Sequence, residues 1–251
     1  RLFETNSLYA VLHFAAYTAV DKAESEKDLC KAINTDATAT IARLCETYST
    51  KLLVISTDFV FDGSKTTPYL PSDKPNPLSV YGKTKYEGEQ MALQNCKHCL
   101  VIRTSWLYSE YGNNFVKTML RLGQERENLG VVFDQIGSPT YAADLASAIF
   151  AAINAPIWHA GVYHYTNEGV CSWYDFTHEI FTRAQLLLDA ESANKIASCK
   201  LRSILSSEYQ YQTPRPHYSV LNKSKIKQTF GISIPHWTDA LQVCLEKLLS
   251  D

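Results

Sequence analysis

Apolar positions follow two rhythms along the chain. Short runs such as Ala10 to Ala15, Lys51 to Ser56 (KLLVIS) and Cys99 to Thr104 have the length and β-branched content of strands. KLLVIS is apolar on both faces, as a central strand of a covered parallel sheet must be. Between these runs lie longer segments of helical character, Leu29 to Tyr48, Ser79 to Asn95 and Asn114 to Glu127. In the first of them Leu29, Ile33, Ala37, Ile41 and Leu44 form one stripe, which predicts the buried face. Strand, helix, strand, helix, strand is the order of parallel β/α units.

After about Tyr108 the character changes. Shorter strands are predicted at Val131 to Phe133, Val162 to Tyr165 and Leu201 to Ile204, with helices at Ala142 to Ile153, Ser172 to Leu187 and Pro235 to Leu249. The fold class is therefore α/β: a Rossmann-like, doubly wound parallel sheet with a smaller α/β substrate domain. Residues 1–108 are assigned to the first domain, with 141–160 returning to it, and 109–140 and 161–251 mainly to the second. Pro68, Pro71, Pro75 and Pro77 keep residues 58–79 out of regular structure. That segment follows the carboxyl end of a central strand, the edge that faces the ligand crevice in such sheets.

Composition narrows the partners. With 24 basic and 26 acidic residues among 251, and no block of like charge, neither nucleic acid nor an anionic membrane is indicated. No apolar run reaches the roughly 18 residues of a membrane span, and the expected compartment is the cytoplasm. The first of the ten glycines is Gly63, so a glycine-rich phosphate loop is missing from the front. Because Tyr9 to Ala16 reads as a middle strand and residue 1 is Arg, about 50 residues are expected to precede the sequence, the size of two β/α units. The seven cysteines include one C-x-x-C pair, Cys96 and Cys99, placed after a helix and before a strand. That is the reverse of a redox motif, and no second pair completes a metal site, so reduced structural thiols are expected.

Tyr81 and Lys85 stand four apart at the start of a predicted helix and so share a face. A nearby ammonium stabilises phenolate, and a tyrosine so placed serves as a general acid toward a carbonyl oxygen. Upstream, KLLVIS ends in Ser56, Thr57 and Asp58, which puts hydroxyls and a carboxylate at the same sheet edge. One strand earlier Phe14-Ala-Ala-Tyr17 offers small side chains at a strand end.

These motifs, with Arg103-Thr-Ser-Trp106, Gly112-Asn-Asn-Phe115, Asp134-Gln-Ile-Gly-Ser-Pro-Thr140 and Arg215-Pro, run through nearly the whole chain. In that order they resemble the extended short-chain dehydrogenase/reductase family, and within it the reductases of dTDP-linked keto sugars. The resemblance implies a catalytic group of Tyr81 as proton donor, Lys85 on the nicotinamide ribose and Thr57 on the reacting carbonyl. It implies that Ala15, Ala16, Tyr17 and Ser56 line the cofactor, with Tyr81 and Lys85. On the substrate side it implies Thr57, Asp58, Trp106, Asn114, Gln135 and Arg215, the last suited to a diphosphate by its forked guanidinium. The implied reaction is reduction by NADPH or NADH of the 4-keto group of dTDP-6-deoxy-L-lyxo-4-hexulose to dTDP-L-rhamnose. A homodimer is also implied, with a divalent ion such as Mg2+ at its interface, although no carboxylate cluster marks such a site. Other members remain alternatives: another sugar-nucleotide reductase or epimerase, or a regulatory subunit like the β subunit of methionine adenosyltransferase. Phe59 departs from the family pattern, which has Tyr there.

Overall fold

The structure is a computed structural model and describes residues 1–209 and 213–250. In chain order the elements begin with α1 (Leu2–Thr5), β1 (Ala10–His13), α2 (Val20–Ala23), α3 (Lys27–Lys31), α4 (Ala37–Thr47), β2 (Lys51–Thr57), α5 (Val80–Asn95) and β3 (Cys99–Thr104). There follow β4 (Leu107–Tyr108), α6 (Phe115–Glu125), β5 (Asn128–Val132), β6 (Ile136–Gly137), β7 (Thr140–Tyr141), α7 (Ala142–Ile153) and β8 (Gly161–His164). The chain closes with β9 (Cys171–Ser172), α8 (Trp173–Leu187), α9 (Ala190–Ser198), β10 (Lys200–Ile204), α10 (Ser224–Phe230) and α11 (Trp237–Leu249).

Two compact units result. The first comprises Arg1–Thr104, Ile149–Tyr165 and Tyr211–Ile232; the second comprises Ser105–Ala148, Thr166–Gln210 and Ser233–Asp251. Within the stretch 161–251, expected mainly in the second domain, residues 161–165 and 213–232 fall in the first unit, while 141–148, expected in the first, fall in the second. The reason is hydrogen bonding: β8 pairs in parallel with β3, Leu100 opposite Gly161 and Arg103 opposite His164, so residues 161–165 complete the first sheet. Residues near Tyr69 then recruit the later segment, because Leu221 bridges to Tyr69 and both are buried with Val60 and Phe61.

The first unit is built on a parallel sheet of order β1-β2-β3-β8. Leu52, Leu53, Val54, Leu100, Val101 and Ile102 are buried on both faces of its centre. Each such side chain contributes roughly 1.5–3 kcal/mol relative to exposure. Helix α5 packs closely on this layer. Ser79 caps it, accepting from the Gly82 N–H at 3.0 Å, and a Cβ at Gly82 would collide with the carbonyl oxygen of Phe59. The helix start is thereby pressed against the end of β2.

The predicted helix over 29–48 is interrupted. Residues Ala32–Asp36 form a π-helical turn between α3 and α4, and the expected stripe is not the buried face: Leu29 and Leu44 are exposed. Cys30, Asn34, Thr35, Thr38, Ala39, Ala42 and Cys45 are buried instead. The extra residue of a π turn shifts the helical phase. Small and hydroxyl side chains on the buried face allow α5 to approach, and Thr35 Oγ1 donates to the Thr84 carbonyl at 2.9 Å.

The second unit has one principal core, formed by α6, α8 and α11 around Phe176, Ile180, Leu241 and Leu245. Strands β5 and β10 pair in parallel beside it. All seven cysteines are free and buried. Among the described residues no helix is long and apolar enough to cross a membrane.

Candidate active site

Strand β2 delivers Ser56 and Thr57 to the carboxyl edge of the sheet, and a single 3-10 turn, Asp58–Val60, follows at once. Helix α5 begins beyond the proline-containing loop and presents Tyr81 and Lys85 toward the same end. Loop 58–79 is held by charge rather than regular structure. Asp62 accepts from the Ser64 N–H and hydroxyl, the Tyr69 hydroxyl and Asn76 Nδ2. Asp73 accepts from Lys65 at 2.6 Å.

Ser56, Thr57, Asp58, Tyr81 and Lys85 are all buried, between 2% and 9% exposed. The hydrogen bonds form a directed series. The Phe59 N–H donates to Thr57 Oγ1 at 3.2 Å, and Thr57 Oγ1 donates to Asp58 Oδ1 at 3.1 Å. Ser219 hydrogen-bonds the Asp58 carboxyl, and the Thr57 hydroxyl favours the ionised form of Tyr81. Asp58 Oδ2 and the Ser56 hydroxyl are buried with no hydrogen-bond partner. Polar atoms so left are costly, and both suit contact with a bound polar molecule.

Burial dominates the electrostatics. It pushes Asp58 up to about 6 against the lowering effect of the Ser219 and Thr57 hydroxyls. It pushes Tyr81 up to about 12, with the Thr57 hydroxyl opposing and the Asp58 charge adding to the rise. Lys85 is pushed down to about 8 by the same cause, while Glu89 opposes the shift. At Tyr81 burial outweighs any lowering of the pKa. Lys85 Nζ donates to the Ile55 carbonyl at 2.7 Å, and Tyr81 is held as the protonated phenol, the form a proton donor needs.

Ala15, Ala16 and Tyr17 follow β1 on the same sheet edge. Asn34 clasps the Tyr17 backbone from the π turn, accepting from its N–H at 2.8 Å and donating to its carbonyl at 3.2 Å. The Tyr17 hydroxyl is engaged by Glu26 at 2.5 Å. Phe59 meets the Tyr81 ring edge-on, centroids 5.5 Å apart, so the ring keeps its packing role without the hydroxyl. Arg215 donates to Asp21 at 3.1 Å.

Trp106, Asn114 and Gln135 belong to the second unit. Trp106 lies two residues beyond β3 with a left-handed backbone, φ 49°, and stacks on Trp173 at 3.5 Å. Gly137 makes room for it, since a Cβ there would sit 2.6 to 2.9 Å from the indole. Asn114 caps α6: its Oδ1 accepts from the Lys117 N–H at 3.2 Å and its Nδ2 donates to the Ser109 carbonyl at 2.7 Å. Gln135 is buried and donates to the Ser206 hydroxyl at 3.0 Å. For Mg2+, no group of three or more His, Cys, Asp or Glu among the described residues is placed to hold a metal ion.

The sequence reading did not single out Asn34, Glu24 or Glu89. Glu24 accepts from the Val80 N–H at the start of α5, 2.8 Å away. Glu89 carried a signal, its place four residues after Lys85; Asn34 carried none, because only the π turn aims it.

The chain is similar to known proteins over nearly its whole length. The profile of the family described as RmlD substrate binding domain matches residues 1–250. A dTDP-4-dehydrorhamnose reductase from Aggregatibacter actinomycetemcomitans is 40% identical over 236 residues, which is 92% of this chain and 79% of the relative. One from Escherichia coli K12 is 39% identical over 245 residues, 96% of this chain and 79% of the relative. A crystal structure of dTDP-4-dehydrorhamnose reductase from Bacillus anthracis in complex with NADP superposes with a TM-score of 0.88 at 37% identity, covering 98% of this chain and 83% of that one. The chain therefore belongs to the RmlD substrate binding domain family.

Proposed function

We propose that the chain is a nicotinamide-dependent reductase of a dTDP-linked keto sugar, converting dTDP-6-deoxy-L-lyxo-4-hexulose to dTDP-L-rhamnose. The observation that carries this reading is the burial of Thr57, Asp58, Tyr81 and Lys85 at one sheet edge, with Thr57 bonded to Asp58 and Lys85 to the Ile55 carbonyl. Relatives near 40% identity that are named dTDP-4-dehydrorhamnose reductase support it over an epimerase or a regulatory subunit. The residues also fit a nicotinamide cofactor. Ser56 has an unpartnered buried hydroxyl, Lys85 a buried ammonium, and Ala15 and Ala16 leave the end of β1 open to close approach. When bound, the cofactor supplies the hydride.

In this reading the Thr57 hydroxyl orients the substrate carbonyl, and Tyr81 transfers its phenolic proton to the carbonyl oxygen as negative charge develops there. Lys85 holds positive charge beside the forming phenolate and contacts the nicotinamide ribose. Asp58 binds a sugar hydroxyl through Oδ2. Trp106 packs on the sugar, while Gln135 and Arg215 contact the nucleotide. Asn114 acts through α6, whose N-terminus it closes. The test is an assay of the complete protein with the dTDP-4-keto-6-deoxy sugar, following oxidation of NADPH and of NADH separately and identifying the product. Absence of oxidation with either cofactor refutes the reading.

A further inference from the structure

Below the proposed catalytic end of α5 lies a charge pair that the reaction scheme does not use. Glu89 is one helical turn beyond Lys85, on the same face of the helix. Its carboxylate is fully buried and receives three short contacts from Arg103: Nε to Oε1 at 3.0 Å, Nε to Oε2 at 3.1 Å and Nη2 to Oε2 at 2.6 Å. Arg103 stands on β3 in register with Ser56 on β2. Its guanidinium lies over the Phe61 ring at 5.2 Å, and its strand neighbour His164 is kept neutral by burial, pushed down to about 3.

A buried ion pair is weak evidence of stabilisation, because an apolar pair of equal volume often does as well. The location of this one gives it a use. The charged and titratable groups that interact with Lys85 are Glu89 on its own helix, Cys30 on α3 and His13 on β1, with Arg103 of β3 bonded to Glu89. Among them Glu89 is the principal group favouring the ammonium. A carboxylate one turn away would also be an obvious trap for that ammonium. Both Glu89 oxygens are taken by Arg103, however, and Lys85 Nζ reaches the Ile55 carbonyl instead.

We propose that the Glu89–Arg103 pair is the positioning device of Lys85: Glu89 holds the lysine's positive charge from one turn away, and Arg103 stops Glu89 from capturing the ammonium. The proposal rests on the reading of Lys85 as the partner of Tyr81. It makes two variants move the lysine in opposite directions. In E89L/R103M no buried charge is left unpaired, and Lys85 loses its supporting anion. In R103M alone, Glu89 is released to bond Lys85 directly.

The experiment is NMR titration of lysine ε-carbons in the complete protein, with the Lys85 signal assigned by its loss in K85R, alongside pH profiles of turnover. The expected result is a Lys85 titration lowered by about one unit in E89L/R103M and raised by a similar amount in R103M. The alkaline limb of turnover should follow in the double variant, and kcat should fall more than KM changes in R103M. A Lys85 titration that stays in place in both folded variants overturns the proposal, as does a shift of the same sign in both. If R103M fails to fold, the double variant alone decides by the same shift. Opposite shifts in a protein without reductase turnover would uphold the pair's effect on Lys85 and refute the functional reading instead.

Discussion

Replacing Asp58 by Asn separates what this carboxyl does for binding from what its burial costs the fold. Asp58 is 2% exposed and its pKa is raised from 3.8 to about 6. A raised carboxyl titrates so that the folded state binds more protons than the unfolded chain between those two values. Stability therefore falls as pH rises through that window, and the loss is complete above pH 6. The shift corresponds to about 3 kcal/mol, of which about 2.5 develops between pH 4 and pH 8. Asn is nearly isosteric with the protonated acid and carries no charge, so D58N should escape this term. Its amide meets the same partnerless surroundings as Oδ2, an offset that does not vary with pH. Thermal unfolding of wild type and D58N should thus be compared across pH. The advantage of the variant should grow by about 5–10 °C from pH 4 to pH 8, while the KM for the sugar nucleotide rises. A melting difference that is flat with pH would refute the argument that a buried, ionised Asp58 is held at the expense of stability.

Other substitutions probe separate links. Y81F removes the proton donor but keeps the ring against Phe59; turnover should fall by about 10²–10⁴-fold, with cofactor affinity, measured by fluorescence titration, little changed. G82A places a Cβ against the carbonyl of Phe59 and should cost about 1–3 kcal/mol in urea unfolding together with much of the activity, because it parts α5 from β2. G137A pushes on the Trp106 indole; steady-state kinetics should show KM for the sugar nucleotide raised, with kcat less affected. S79A removes the cap of α5 and should lower stability by about 1 kcal/mol, read by denaturant midpoint.

The legible parts of this protein were those whose cause is local. The edges of β2, β3 and α5 follow from runs of apolar residues and from a serine cap, and they agree with the sequence reading to within a residue or two. Tyr81 and Lys85 were legible as a pair because helical spacing alone puts them on one face, and Thr57 and Asp58 because a strand must end before a proline-rich loop. The buried face of residues 29–47 was not legible. Its larger apolar side chains, Leu29 and Leu44, lie outside, and Ala, Thr and Asn lie inside. Close approach to α5 rewards small volume there more than hydrophobicity.

By itself the sequence determined the alternation of strand and helix, the sheet edge at which chemistry gathers, and the residue types present there, since these depend on periodicity and on the chain's direction through each strand. Tertiary structure decided what each group becomes. Burial keeps Tyr81 a protonated phenol, makes Lys85 a weaker base held by Ile55, and makes Asp58 a carboxyl that titrates near 6. Strand pairing moves 161–165 into the first sheet, and the packing of α5 beside β3 sets Arg103 against Glu89. Desolvation and charge pairing are properties of the assembled interior, and no spacing along the chain records them.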